Sequence, residues 1–138
     1  MELAIRAATS IDVDAVVALH DADAARWRLL ESLIGDGQCL VACESDRVVG
    51  FVAVRPGHFF DRDFVELLLV DRNCRRRGIG SALLHGVVAT EGSAVVFTST
   101  NESNVAMRAL LAREAWIPSG RVSGLDPGDD ELFFRIDR

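Results

Sequence analysis

Four arginines, Arg72, Arg75, Arg76 and Arg77, fall within six residues and run directly into Gly78, Ile79, Gly80 and Ser81. This pattern suits capture of a phosphate. A helix that starts at the glycines presents unpaired N–H groups and the positive end of its dipole. Glycine leaves room for a close backbone approach, and arginine adds charge with a forked donor geometry. A pyrophosphate fits such a loop; the plainer reading is a solvated arginine loop whose glycine only starts a helix. A P-loop is excluded because the chain contains no lysine, and a dinucleotide fingerprint because Leu83 stands where its third glycine belongs. Glu66 is the lone charge in the apolar run Phe64 to Val70 just upstream.

The elements that must hold these residues follow from periodicity. Leu3 to Ala7 reads as a strand, and Thr9 or Ser10 as the cap of a helix carrying Val13, Val16, Val17 and His20. A second helix runs from Ala24 to Ile34 and stops at Gly35-Asp36-Gly37. Gln38 to Glu44 and Val48 to Arg55 form a hairpin, which Pro56-Gly57 is expected to end, leaving Arg55 to Asp63 as a loop. Phe64 to Val70 is a buried central strand, and a helix opens at Gly78 and continues to about Thr90. A strand over Ala94 to Ser99 comes next, and Asn101 to Asn104 offers several cap candidates for a helix through Glu114. Two closing strands, Trp116 to Leu125 and Glu131 to Asp137, flank an Asp126-Pro127-Gly128-Asp129 turn. The order β-α-α-β-β-β-α-β-α-β-β is α+β, or mixed α/β. It implies a largely antiparallel sheet of six to seven strands with four helices on its two faces.

The 138 residues are read as one domain, 1–138, with 49% apolar and 26% charged side chains. Fifteen arginines against 21 acidic residues give a net charge of −6, which argues against nucleic acid as a partner. No apolar run is long enough to span a membrane and no secretory signal is read at the start, so the expected place is the cytoplasm. Cys39 and Cys43 read as small core residues, and the three cysteines and three histidines have no metal-ligand spacing.

Arg75-x-x-Gly78-x-Gly80 after Leu67-Leu68-Leu69-Val70 resembles motif A of the GNAT acetyltransferase superfamily, and the element order matches that fold over essentially the whole chain. The resemblance implies acetyl-CoA as cosubstrate, in a V-shaped gap between the Glu66 strand and the Val95 strand. Leu68, Leu69 and Val70 would line the pantetheine arm, with the Leu68 N–H as oxyanion donor. Arg75, Arg76, Arg77, Gly78, Ile79 and Gly80 would wrap the pyrophosphate through backbone N–H groups, and Ser81 would add a hydroxyl. Asn104 would contact the cofactor arm. The family often carries a tyrosine seven residues after that asparagine as general acid. Here the position is Leu111, and the chain has no tyrosine at all. Water, Ser103 and Cys74 remain as candidates for that role.

Glu66 is the general-base candidate: period-two geometry places it on one face with Leu68. Holding the acceptor amine, or pairing with an arginine, are the other readings of the same carboxylate. The expected reaction is transfer of an acetyl group from acetyl-CoA to a primary amine, small molecule or peptide, by direct attack and without a metal. A CoA-binding module without turnover is the rival, supported by the missing tyrosine. Phe59 and Phe60 are either core edge or acceptor wall, and His58 is read as a surface-loop residue. The acidic turn around Asp126, Asp129, Asp130 and Glu131 is read as solvated, or as an attraction for cationic amines. Leu132, Phe133 and Phe134 suit either a homodimer interface or the chain's own sheet.

Overall fold

The computed structural model describes residues 2–138. Strands β1 (Leu3–Ala7), β2 (Cys39–Glu44), β3 (Arg47–Phe59), β4 (Arg62–Val70), β5 (Val95–Asn101), β6 (Ile117–Asp126) and β7 (Asp129–Asp137) form one sheet in the order β1-β2-β3-β4-β5-β7-β6. Helices α1 (Val13–His20), α2 (Ala24–Gly35), α3 (Ile79–Ala89) and α4 (Val105–Arg113) fill the connections. Only β4 and β5 pair in parallel; every other pair is antiparallel. The order of elements and the α+β class are those expected from the sequence.

Alternating strand residues feed two apolar clusters, one on each face. Val52, Val54, Val65, Val96 and Phe134 pack with Ile79, Leu83 and Leu84 of α3 and Leu110 and Leu111 of α4. Val41, Phe51 and Ala53 pack with Val16 of α1 and with Leu30, Leu33 and Ile34 of α2. That second cluster takes no residue from β5 or β7. Leu132 and Phe134 serve the first cluster and Phe133 stacks on Phe59, so all three closing-strand residues are used within the chain.

Helix starts follow side-chain chemistry. Asp23 caps α2 by accepting the Arg26 N–H at 2.8 Å, and Asn104 caps α4 by accepting the Met107 N–H at 3.1 Å. Before α1, the buried Asp12 carboxylate takes the Thr9 N–H at 2.8 Å and two Arg6 donors at 2.7 and 3.0 Å. The Arg6 guanidinium holds the Asp12 carboxyl below its ordinary value.

Pro56-Gly57 does not end its strand. β3 continues to Phe59, with an irregular register between Arg55 and Phe59. The irregularity accommodates a proline that has no N–H to pair. Gly57 sits at φ 64°, and its N–H turns to Asp63 Oδ1 at 3.1 Å. Phe60 and Asp61, both at positive φ, then close a two-residue hairpin turn. His58 therefore lies on a strand, edge-on to Phe64, rather than in a loop.

Candidate active site

β4 is where the sheet is interrupted. Its ladder with β3 pairs Ala53 with Leu67 but Val54 with Val65, so Glu66 is an extra, unpaired residue. This is a β-bulge, and it shifts the alternation by one. Leu68 consequently packs into the α3–α4 cluster, while Glu66 reaches Arg26 on α2, on the opposite face. The expectation that Glu66 and Leu68 share a face is wrong for this physical reason.

Past the bulge, β4 loses its parallel neighbour. β5 pairs only with Asp63 to Val65 of β4. The buried Thr98 hydroxyl closes that ladder by donating to the Val65 carbonyl at 3.0 Å. On the other edge, Asp71 donates its N–H to Val49 O at 2.8 Å. In an antiparallel ladder the bonded pairs alternate. Leu69 and Leu67 therefore face β3, and the N–H and C=O groups of Leu68 and Val70 turn toward the opening beside β5. The Val70 carbonyl receives Arg75 Nε at 3.4 Å.

The arginine loop leads from this opening into α3. Arg76 and Gly78 are both left-handed, at φ 64° and 79°. A Cβ on Gly78 would meet nothing within 4 Å, so the turn stands open to the outside. No side chain caps α3 and no acidic residue lies in its first turn. The N–H groups of its first turn are thus free to meet an anion. Gly80 is different: a Cβ there would lie 2.9 Å from Leu110 Cδ2. Its missing side chain lets α3 pack on α4, a use not foreseen in the sequence.

The three loop arginines divide by partner. Arg75 and Arg76 are exposed, whereas the Arg77 guanidinium is ion-paired to the buried Glu44 on β2. The Arg77 side chain is itself exposed, and Glu44 takes only its Nη2. Asp71 anchors the start of the loop by accepting the Asn73 N–H at 2.9 Å and pairing with Arg47 at 2.5 Å, and both hold its carboxyl low. Ser81 lies in the first turn of α3. The Asn104 side chain is spent on its helix cap.

Glu66 is mostly buried and clamped at one oxygen: Oε1 takes Arg26 Nη1 at 2.9 Å and lies 3.7 Å from Arg55 Nη1. Its Oε2 carries no hydrogen bond among the described residues. Pairing with an arginine is among the readings of Glu66, but the sequence identifies neither partner. Arg26 lies forty residues away, one turn before the buried Leu30 on α2, and no local signal links the two.

The general-acid candidates are otherwise engaged. Leu111 is fully buried among core residues, Cys74 is buried, and Ser103 donates its hydroxyl to Asp129 at 2.5 Å. The acidic turn is solvent-exposed at Asp126, as one reading expected, and its carboxylates carry surface partners. Asp126 accepts Asn101 Nδ2 at 2.8 Å, and Asp130 pairs with Arg121 at 3.0 Å. Cys39, Cys43 and Cys74 are free and buried, with burial pushing the Cys39 thiol up to about 12.

A sequence model of the acetyltransferase (GNAT) family matches residues 6–115. A GNAT-family acetyltransferase from Bacillus cereus superposes with a TM-score of 0.94 at 30% identity, over 100% of this chain and 99% of that one. The ribosomal-protein-alanine N-acetyltransferase of Brucella melitensis gives 0.80 at 25% identity, over 98% and 99%. Arabidopsis thaliana NAA60, in a complex with acetyl-CoA, shares the fold at 0.83 and 16% identity, over 99% and 100%. No curated protein sequence matches.

Proposed function

The chain belongs to the GNAT acetyltransferase family, and on that premise we propose that it acetylates a primary amine by direct attack within a ternary complex. The observation that supports this reading is the opening beside β4. There the Leu68 and Val70 backbone groups are turned away from β3 and lie next to an uncapped, acid-free helix start at Gly78.

The residues fit acetyl-CoA in two respects. The Gly78 turn is open where a Cβ would stand, so phosphates can approach the N–H groups of Ile79, Gly80 and Ser81, with Arg75 and Arg76 exposed alongside. The strand edge at Leu68 and Val70 offers amide groups turned away from β3, as a pantetheine arm needs, whereas Leu69 is paired to β3 and the Asn104 side chain caps α4. Bound acetyl-CoA supplies a thioester whose carbonyl carbon accepts the amine and whose thiolate departs. Leu68 donates its N–H where negative charge develops on the carbonyl oxygen. Glu66 receives the amine's proton at Oε2, while Arg26 holds Oε1 and fixes the carboxylate's orientation. A thiolate leaves without full protonation because its conjugate acid has a pKa near ~8.5. Ser103 is engaged and Cys74 is buried, which fits a reaction without a protein general acid.

Those same engaged groups favour one second reading, a CoA-binding module without turnover. Calorimetry with acetyl-CoA and a thiol-release assay with amines separate the two. The transfer reading expects Gly78→Glu to weaken acetyl-CoA binding more than about tenfold, by placing a carboxylate against phosphates. Glu66→Gln should keep binding while kcat falls about 10²-fold. Binding without thiol release for any amine would establish the module. A folded wild type that binds no acetyl-CoA would overturn both.

A further inference from the structure

On the face that carries Glu66, α1 and α2 cover the sheet only as far as β4. Beyond them lies an aromatic floor. Phe59 stacks on Phe133 with ring centroids 5.6 Å apart, and meets Phe64 at 5.4 Å and Phe97 at 5.0 Å. No helix residue joins this group. At its far end Phe59, Phe60, Arg62, Val95, Phe97 and Arg135 line a depression of about 400 Å³. No carboxylate lines it. The Arg135 guanidinium makes no hydrogen bond or ion pair among the described residues, although Asp137 follows on the same strand. Arg62 donates only to the Phe60 carbonyl, at 2.6 Å. A half-buried, unpaired guanidinium beside four phenylalanines is an anion site with an apolar approach.

Register gives the span. Phe64 pairs with Phe97, which pairs with Arg135, so Arg135 is level with a residue two before Glu66 and two strands away. At about 3.3 Å rise per residue and about 4.8 Å per strand, that is about 12 Å from Glu66. An extended three-residue peptide reaches about 10 Å, and a guanidinium covers the remainder.

We propose that this strip is the acceptor subsite, and that it selects an amine joined through an apolar body of about tripeptide length to a carboxylate. The amine lies at Glu66, the body on Phe64, Phe97 and Phe133, and the carboxylate at Arg135 with Arg62. This rests on the transfer reading above for the amine's position; the anion site rests on the cavity. A polycation is the wrong partner here, because two arginines face the far end and two more surround Glu66.

The test uses the tripeptide Gly-Phe-Gly as free acid and as C-terminal amide, with spermidine as the cationic comparison. Binding is read by calorimetry and acetylation by thiol release. The free acid should bind about five- to tenfold more tightly than the amide and be favoured similarly in kcat/KM. In Arg135→Gln the ratio should fall to about one. In Arg135→Glu the preference should reverse toward the amide, which a merely misfolded variant cannot do. Equal binding of acid and amide by wild type, an unchanged ratio in both variants, or a preference for spermidine would each overturn the proposal. Acid-selective, Arg135-dependent binding without thiol release would uphold the subsite and count against transfer. Thiol release from other amines with no acid preference would do the reverse.

Discussion

Replacing Gly80 by alanine tests whether this position serves the ligand or the packing of two helices. The added Cβ would sit 2.9 Å from Leu110 Cδ2, 3.7 Å from Leu110 Cδ1 and 3.8 Å from Leu68 Cδ2. Carbon atoms prefer about 3.5–4.0 Å, so the first contact is too close and the other two are ordinary. Alanine gains about 0.9 kcal/mol over glycine in helix propensity. Overpacking a filled core costs about 1–3 kcal/mol. The difference leaves Gly80→Ala about 1 kcal/mol less stable, a fall in Tm of about 3 °C for a chain of this size. Leu110→Ala alone removes a buried side chain and costs about 2–3 kcal/mol. In the double variant the alanine methyl occupies space that Leu110 has vacated, so the clash disappears and the propensity gain remains. Urea unfolding of the four proteins should give a favourable coupling of about 1–2 kcal/mol. Additivity within about 0.5 kcal/mol, or a Gly80→Ala protein stabilised by the full propensity gain, would refute the packing account.

The remaining predictions address the core, the thiols and acid. Leu111→Tyr, which restores the residue type absent from the family pattern, should lose about 1–3 kcal/mol through overpacking and gain no rate, because position 111 is fully buried; stopped thiol release and a melting curve check both halves. Native protein should show no fast-reacting thiol at pH 8 and three after unfolding, since all three cysteines are buried and the Cys39 thiol is pushed up to about 12; a rapidly labelled native thiol would contradict it. Burial alone would raise the Asp63 carboxyl, but Arg138 at 2.7 Å and the N–H groups of Gly57 and Ser93 hold it below its ordinary value. Its stabilisation is therefore present above the ordinary carboxylate pKa and is lost as pH falls through the lower folded value. Arg138→Met should cost about 3 kcal/mol and move the acid-unfolding midpoint to higher pH, as followed by circular dichroism; an unmoved midpoint would dissociate Asp63 from acid stability.

The fold was legible because its signals are local. Apolar periods of 2 and 3.6, the glycines at Gly35 and Gly37, and the run of cap candidates from Asn101 to Asn104 are each set within a few residues. The arginine-glycine loop and its helix start were legible for the same reason: charge, glycine and helix start are consecutive. Partnerships were not. Nothing near Arg77 distinguishes it from Arg75 and Arg76; Glu44, thirty-three residues earlier, does. Nothing near Gly80 says that its hydrogen faces Leu110 rather than a phosphate. Pro56-Gly57 has the local chemistry of a turn. Whether it ends a strand or sits as an irregularity within one depends on Phe59 pairing with Arg62 beyond it.

The bulge at Glu66 shows most clearly why a site can be half visible in a sequence. A bulge is a count: two strands of unequal length share one ladder, and no residue type on either strand announces it. Yet the count decides the chemistry. Without the extra residue, strict alternation would turn the Glu66 side chain to the Leu68 face, among Ile79, Leu83 and Leu110, where an unpaired carboxylate costs several kcal/mol. With it, the carboxylate goes to the α2 face and meets Arg26, while two residues on the Leu68 N–H faces the opening beside β5. A proton acceptor and an oxyanion donor must approach a reacting carbonyl from different directions, one from the amine and one from the oxygen. On the transfer reading, one inserted residue achieves that separation on a single strand.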